Sequence, residues 1–252
     1  VIIIDVLSFT TSLDIAVAQG AVAYPYLYRD ASVYTYAESV DAEVAHPDNP
    51  QGFSLSPMTL ERLPAGYRMV LPSPNGSTLS LSTGDTPTLA GCLRNARAVA
   101  DQAMTIGRNI AVIPSGERWR EDDTLRPSLE DWLGAGAIIS YLHGARSPEA
   151  EAAAMSFKQA EADLYHMILT CSSGKEKMSR DQERDVQLAT DLNVSNCVPV
   201  LKDGAYMIIP MNNVHYDLCV VGGGSGGFGA ACAAARLGAS VLLVEAGPGL
   251  GG

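Results

Sequence analysis

Basic side chains are scarce in this sequence, and so are cysteine, histidine and aromatic residues. The 17 Lys and Arg face 28 Asp and Glu, for a formal charge of −11 and a pI near 4.7. That balance argues against nucleic-acid and acidic-membrane partners, although a local basic pocket can still hold a small anion. Five cysteines, Cys92, Cys171, Cys197, Cys219 and Cys232, contain no C-x-x-C pair, so neither a disulfide framework nor a zinc site is expected and a reducing, cytoplasmic compartment fits. The 4 histidines, His46, His143, His166 and His215, stand apart from one another, which favours core or surface roles over metal ligation. No apolar run reaches the length of a membrane span, and no signal peptide is visible. The first residue is Val within a strand pattern, so we read the N-terminus as clipped.

Several hydrolytic devices are also missing. Asp5-Val6-Leu7 lacks the second aspartate of an Asp-x-Asp nucleophile, and neither Cys92 nor Cys171 has an Arg six positions on. Within 1–210 there is no G-x-S-x-G elbow and no H-E-x-x-H pair. What is present is an ordinary globular composition, 47% hydrophobic and 18% charged, in which strand and helix patterns alternate. This alternation predicts an α/β fold, three-layer α/β/α with a mainly parallel sheet. Strands are expected at 1–4, 21–28, 68–71, 86–90 and 110–113. Helices are expected from Thr10 to about Gly20, over 31–45, up to about Ile106, from Ser128 onward and over 148–169. A charged segment, 175–185, reads as solvated faces, and Lys202-Asp203-Gly204 joins a short hairpin.

The stretch 110–142 carries most of the chemistry. A buried-strand run ends at Pro114-Ser115-Gly116, the loop holds Glu117, Arg118 and Arg126, and a helix starting at Ser128 carries Glu130 and Asp131 in its first turn. Asp131 has a structural reading, in which Ser128 caps the helix and Asp131 completes a shortened capping box. Glu130 and Glu117 have no such role and suit a hard cation, for which carboxylate oxygens are the natural ligands. Behind them, Gly134 and Gly136 each cost about 1 kcal/mol in a helix interior, so that helix is expected to lie unusually close to a neighbour. Asp5 ends the first strand, and the turn Asn75-Gly76-Ser77 offers amides and hydroxyls to an anion, or is a plain turn. The carboxylates Asp5, Glu117, Glu130 and Asp131, as catalytic or metal-binding groups, with Asn75, Gly76, Ser77, Arg94, Asn95, Arg118 and Arg126 on the substrate side, suit a divalent cation and an anionic substrate.

From Met211 the character changes. The run Gly222-Gly223-Gly224-Ser225-Gly226-Gly227 fits G-x-G-x-x-G between a strand and a helix, and Glu245 follows where a ribose-binding acid belongs. Gly222, Gly224, Gly227 and Glu245 are the dinucleotide-binding candidates. The segment resembles the N-terminus of flavin-dependent oxidoreductases, with Gly251-Gly252 opening a second glycine pair. It is a single βαβ unit, so FAD would bind only if that unit were complete. We therefore divide the chain into 1–210 and 211–252, and read the second part as the start of a downstream gene joined by a reading-frame artefact.

Within 1–210, IIIDVLSFTTS at 2–12, FSLSP at 53–57, PSPNGSTLS at 72–80, LRNARAVA at 93–100, SLEDWLGAGAI at 128–138 and VPVLKDG at 198–204 together resemble the 2-phosphosulfolactate phosphatase family. The resemblance implies an α/β/α fold and Mg²⁺-dependent hydrolysis of a sulfonated phosphoester, a step towards coenzyme M in some organisms. It also implies functional roles for Asp5, Asn75, Asn95, Glu130 and Asp131. The sequence departs at Ser8, where the family usually has Arg, and serine cannot supply that bidentate charge to an anion. A non-catalytic anion-binding module on the same fold and a fragment of an FAD-dependent oxidoreductase stand as alternatives.

Overall fold

The computed structural model describes every residue except Arg29, Pro50, Arg120, Glu121, 210–215, Ala246, Pro248 and 250–252. Met211, His215 and Gly251-Gly252 therefore lie outside the described residues. The chain forms two compact units, Val1–Ile209 and Pro210–Gly252.

In the first unit the strands are β1 (Ile2–Ile4), β2 (Val22–Tyr26), β3 (Glu43–Val44), β4 (Arg68–Pro72), β5 (Thr88–Gly91), β6 (Val112–Pro114), β7 (Glu117–Arg118), β8 (Leu125–Arg126), β9 (Val200–Lys202) and β10 (Ala205–Met207). The helices are α1 (Phe9–Ala18), α2 (Ser32–Ser39), α3 (Pro57–Leu60), α4 (Gly76–Leu81), α5 (Ala96–Ile106), α6 (Leu129–Tyr141), α7 (Pro148–Ala160), α8 (Leu164–Thr170), α9 (Ser172–Met178) and α10 (Glu183–Thr190). Among the described residues, eight strands form one sheet in the order β3-β4-β2-β10-β9-β5-β1-β6. Two parallel blocks, β3-β4-β2 and β5-β1-β6, are joined by the β9-β10 hairpin, which pairs antiparallel with β2 on one side and with β5 on the other. The hairpin that the sequence predicts is thus the centre of the sheet.

Period-two alternation assigns the layers. Ile2, Ile4 and Leu89 pack with Val99 of α5, Ile138 of α6 and Phe157 of α7, while Tyr24 and Val70 meet Val33 and Ala37 of α2. The alternate residues Ala23, Met69, Leu71, Ala90 and Tyr206 pack with Phe9 and Leu13 of α1 and Leu60 of α3. The three-layer α/β/α fold and the mainly parallel sheet are as the sequence predicts.

Several local expectations give way. The helix expected over 31–45 stops at Ser39, because Asp41 takes a left-handed backbone (φ 49) and Val44 pairs with Val70 as an edge strand. The polar loop after β6 contains the β7-β8 hairpin, and 148–169 is broken by a 3-10 turn at Glu161–Asp163. The charged segment 175–185 is mostly exposed, as expected, but it runs through the end of α9 into α10 and ends on buried Asp185. The close approach expected at Gly134 and Gly136 is present. A Cβ on Gly136 would lie 2.1 Å from the Ala153 carbonyl oxygen of α7, and one on Gly134 would lie 2.8 Å from Val6 Cγ2.

The second unit pairs β11 (Leu218–Val221) in parallel with β12 (Val241–Val244), connected by α11 (Ser225–Arg236). Gly222 has φ 100, and a Cβ on Gly227 would lie 1.8 Å from the Gly222 carbonyl, so the glycine spacing serves the tight turn and the close helix–strand contact. Gly224 accepts the Phe228 amide hydrogen through its carbonyl. The Glu245 carboxylate turns back onto the loop and accepts from the Gly223 and Gly247 amides.

Candidate active site

The site is assembled by the chain segments that leave β1, β4 and β6 and by the first turn of α6. Asp5 is the residue after β1 and is 7% exposed. Its Oδ1 accepts from the Phe9 amide (3.2 Å) at the start of α1, and its Oδ2 accepts from the Gly76 amide (3.1 Å) at the start of α4 and from Ser73 Oγ (3.4 Å). A Cβ at Gly76 would come within 2.9 Å of Asp5 Oδ2 and 2.2 Å of the Phe9 ring, so only glycine allows that approach. Asp5 is thereby fixed by three donors.

Asp131 does not complete a capping box. Its Oδ1 accepts from the Val6 amide (2.8 Å) and its Oδ2 from the Gly116 amide (3.0 Å), tying the loop after β1 to the turn after β6. Ser128 precedes α6 but makes no side-chain cap, and its buried Oγ has no partner among the described residues. Two buried amides compete better for the carboxylate than exposed helix-end donors, which water can satisfy. Likewise, the helix expected from Thr10 begins at Phe9, and Asp14 within it is no cap but is buried against Arg94. Glu130, 3% exposed, accepts through Oε2 from the Cys171 thiol (3.4 Å), and Glu117 Oε1 accepts from Asn75 Nδ2 (2.8 Å) and from the Arg118 amide (2.9 Å).

These carboxylates lie within electrostatic reach of one another. Burial pushes Asp5 up to about 6, with repulsion from Glu117 and Glu130 adding to the rise and the Phe9 and Gly76 amides opposing it. Burial also raises Asp131 well above the usual carboxylate range, helped by Asp5 and Glu130 and opposed by its two amides. Among the described residues no three His, Cys, Asp or Glu side chains are placed to hold one metal ion. The donors are nonetheless of the right chemistry for a hard cation, since Mg²⁺ commonly takes one or two carboxylates and fills its remaining positions with water and phosphate oxygens.

Beside Glu117 opens a cavity of about 820 Å³. Arg118 and Arg126 line it, as do Lys177 and Arg180 at the end of α9, Ser8, and Ser54 and Ser56. Arg126 is 5% exposed, pairs with Glu176 (3.2 Å), donates to Ser173 Oγ (3.4 Å) and lies over the Trp119 ring. Arg118 is held at the surface by Asp123. Lys177 and Arg180 were invisible as site residues in a segment that reads as solvated. The one available signal was Gly174 in α9, where a Cβ would lie 1.9 Å from the Ile168 carbonyl, showing that the helix packs tightly.

The structure leaves other sequence candidates outside this cavity. Arg94 donates to Asp14 (2.9 Å), the Leu188 carbonyl (3.0 Å) and Asp191 (3.4 Å), so its guanidinium is committed to an ion pair with a carboxylate that is 1% exposed. Asn95 accepts from the Cys92 amide and donates to the Ala90 and Cys197 carbonyls, which makes it a buried brace after β5. Ser77 donates to the Leu71 carbonyl and accepts from the Tyr26 amide, joining α4 to the sheet. All three have structural partners that account for their chemistry.

Comparison with known proteins extends this reading. The profile of the family described as 2-phosphosulpholactate phosphatase matches residues 1–204, and that of FAD dependent oxidoreductase matches residues 217–252. The chain is also 29% identical over 218 residues to the "Probable 2-phosphosulfolactate phosphatase" of Gloeobacter violaceus, an alignment covering 78% of this chain and 85% of the relative. With its sheet, its carboxylate cluster and a family match over most of its length, the chain belongs to the 2-phosphosulpholactate phosphatase family.

Proposed function

We propose that the first unit hydrolyses the phosphate ester of a small organic acid in a Mg²⁺-dependent reaction, with 2-phosphosulfolactate or a related phosphorylated hydroxy acid as substrate. The observation that carries this reading is the carboxylate cluster around Asp5 beside a cavity walled by Arg126, Lys177 and Arg180. One or two of Asp5, Glu117 and Glu130 would hold the cation, with water and phosphate oxygens filling its other positions, and the cation would supply positive charge to the phosphoryl oxygens and acidify a bound water. Asp5 is kept in one orientation by the amides of Phe9 and Gly76, and Asn75 does the same for Glu117. Asp131 uses its two oxygens to hold the loops that carry Asp5 and Glu117 in register. The basic wall attracts a dianion and lowers the cost of placing it beside carboxylates.

Phosphate release from a panel of phosphorylated hydroxy acids, with and without a sulfonate, tests the proposal on the full chain. Activity is expected with Mg²⁺, is lost in excess chelator, and collapses in Asp5→Asn. Release that persists in chelator, or that is equal in Asp5→Asn and parent, overturns the mechanism. A folded protein inactive on the whole panel is an anion-binding module instead.

A further inference from the structure

Lys177 is a largely buried ammonium whose needs are only partly met. Its side chain is 14% exposed, and its one ion pair among the described residues is a long contact, 3.5 Å, with Asp185. Asp185 is itself 1% exposed and spends its other oxygen on the start of α3, accepting from Ser56 Oγ (2.6 Å) and the Met58 amide (3.1 Å). An ammonium has three donors, and a buried charge left with one long hydrogen bond is costly unless another acceptor completes its shell. Lys177 also lines the cavity, together with buried Arg126 and exposed Arg180. A largely buried ammonium with unmet donors beside the buried Arg126 guanidinium, both on the wall of one cavity, is the pattern of a site completed by an anionic ligand.

We propose that Lys177, braced by Asp185, recognises the acid group of the substrate that is not hydrolysed, a carboxylate or sulfonate, with Arg126 completing the subsite. This assignment rests on the phosphatase reading above, with the phosphoryl group placed by Asp5 and Glu117 and the second acid group by Lys177. Asp185 is a positioning residue: by gripping the Ser56–Met58 segment and Lys177 together it fixes the ammonium relative to the cavity wall. Arg126 already has Glu176 as a partner, which leaves Lys177 as the charge with the greatest unmet demand.

The test measures binding, so that it stands apart from turnover. Calorimetry on the full chain would compare 3-sulfolactate, malate, lactate and inorganic phosphate. Lactate lacks the second acid group, while malate replaces the sulfonate by a carboxylate and so identifies which acid the subsite prefers. In Lys177→Gln, which keeps a donor towards Asp185 and removes the charge, sulfolactate or malate binding is expected to weaken about tenfold to a hundredfold, the range of one charge-assisted hydrogen bond. Lys177→Arg should restore most of the loss, and inorganic phosphate, which feels Lys177 only through the general charge of the wall, should lose severalfold less than the diacids. Asp185→Asn should weaken the same diacids more than it weakens phosphate. In steady-state assays the effect should fall on KM more than on kcat. Diacid binding unchanged in a folded Lys177→Gln, an equal loss for inorganic phosphate, or no preference of the parent for diacids over lactate would each overturn the assignment. Diacid binding that depends on Lys177 in a protein without phosphatase activity would retain the subsite and remove the proposed reaction.

Discussion

Gly136→Ala sets helix propensity against packing at one position, and the structure determines which prevails. Alanine is better than glycine in a helix interior by about 1 kcal/mol, so local preference alone makes the substitution stabilising. The added Cβ would sit 2.1 Å from the Ala153 carbonyl oxygen, 2.7 Å from its carbon and 2.8 Å from Phe157 Cβ. Ordinary contact starts at 3.4 Å, and the nearest atoms belong to the backbone of α7, which cannot rotate away. α7 must therefore retreat by roughly 1 Å, loosening Ala153, Ala154 and Phe157 from the core they share with Ile138. Overpacking of this kind costs roughly 1–3 kcal/mol and more where backbone is displaced. We expect a net loss of about 1–2 kcal/mol, or a fall in Tm of about 2–8 °C for a domain of this size. Tryptophan emission during thermal unfolding reads the right unit, because both tryptophans, Trp119 and Trp132, lie in 1–209. Gly107→Ala is the control: its backbone is extended and nothing lies within 4 Å of the new Cβ, so its stability should stay within about 0.5 kcal/mol of the parent. A Gly136→Ala protein as stable as the parent, or more so, would refute the close-packing account of α6.

Two further measurements separate site chemistry from scaffold. Asp5 has its folded pKa raised to about 6 from 3.8, so its protonation favours the folded state: that contribution is complete below about pH 4 and is lost as pH rises through 6. In chelator, the stability of the parent relative to Asp5→Asn should therefore fall by about 3 kcal/mol between pH 4 and pH 7, at roughly 1.4 kcal/mol per pKa unit, and a flat difference in urea midpoints would contradict the burial and repulsion assigned to Asp5. Arg94→Ala strands the Asp14 carboxylate, which is 1% exposed, and should cost about 3–5 kcal/mol in urea unfolding while leaving substrate KM unchanged in the folded fraction; a specific rise in KM without loss of stability would return Arg94 to the binding site.

What the sequence determined by itself was local. Three β-branched residues, Ile2–Ile4, followed by Asp5 announce a buried strand with an acid at its end. Gly134 and Gly136 announce a helix pressed against a neighbour, and Lys202-Asp203-Gly204 announces a hairpin. Each rests on side-chain period, glycine's missing Cβ or turn chemistry, which act over a few residues. The roles of the polar residues were decided by partners far along the chain. Asp131 looks like a capping residue until Val6, 125 positions away, presents its amide. Arg94 looks available to an anion until Asp14, 80 positions away, takes it, and Lys177 looks solvated until Asp185 and the Ser56–Met58 segment enclose it. Nor does the hairpin's own sequence say that it will pair with β2 and β5 and so form the middle of the sheet. A carboxylate or guanidinium can satisfy itself with any of several partners, and only the tertiary structure selects among them, because burial removes water from the competition and leaves the group to whichever donor or acceptor the fold has brought within reach.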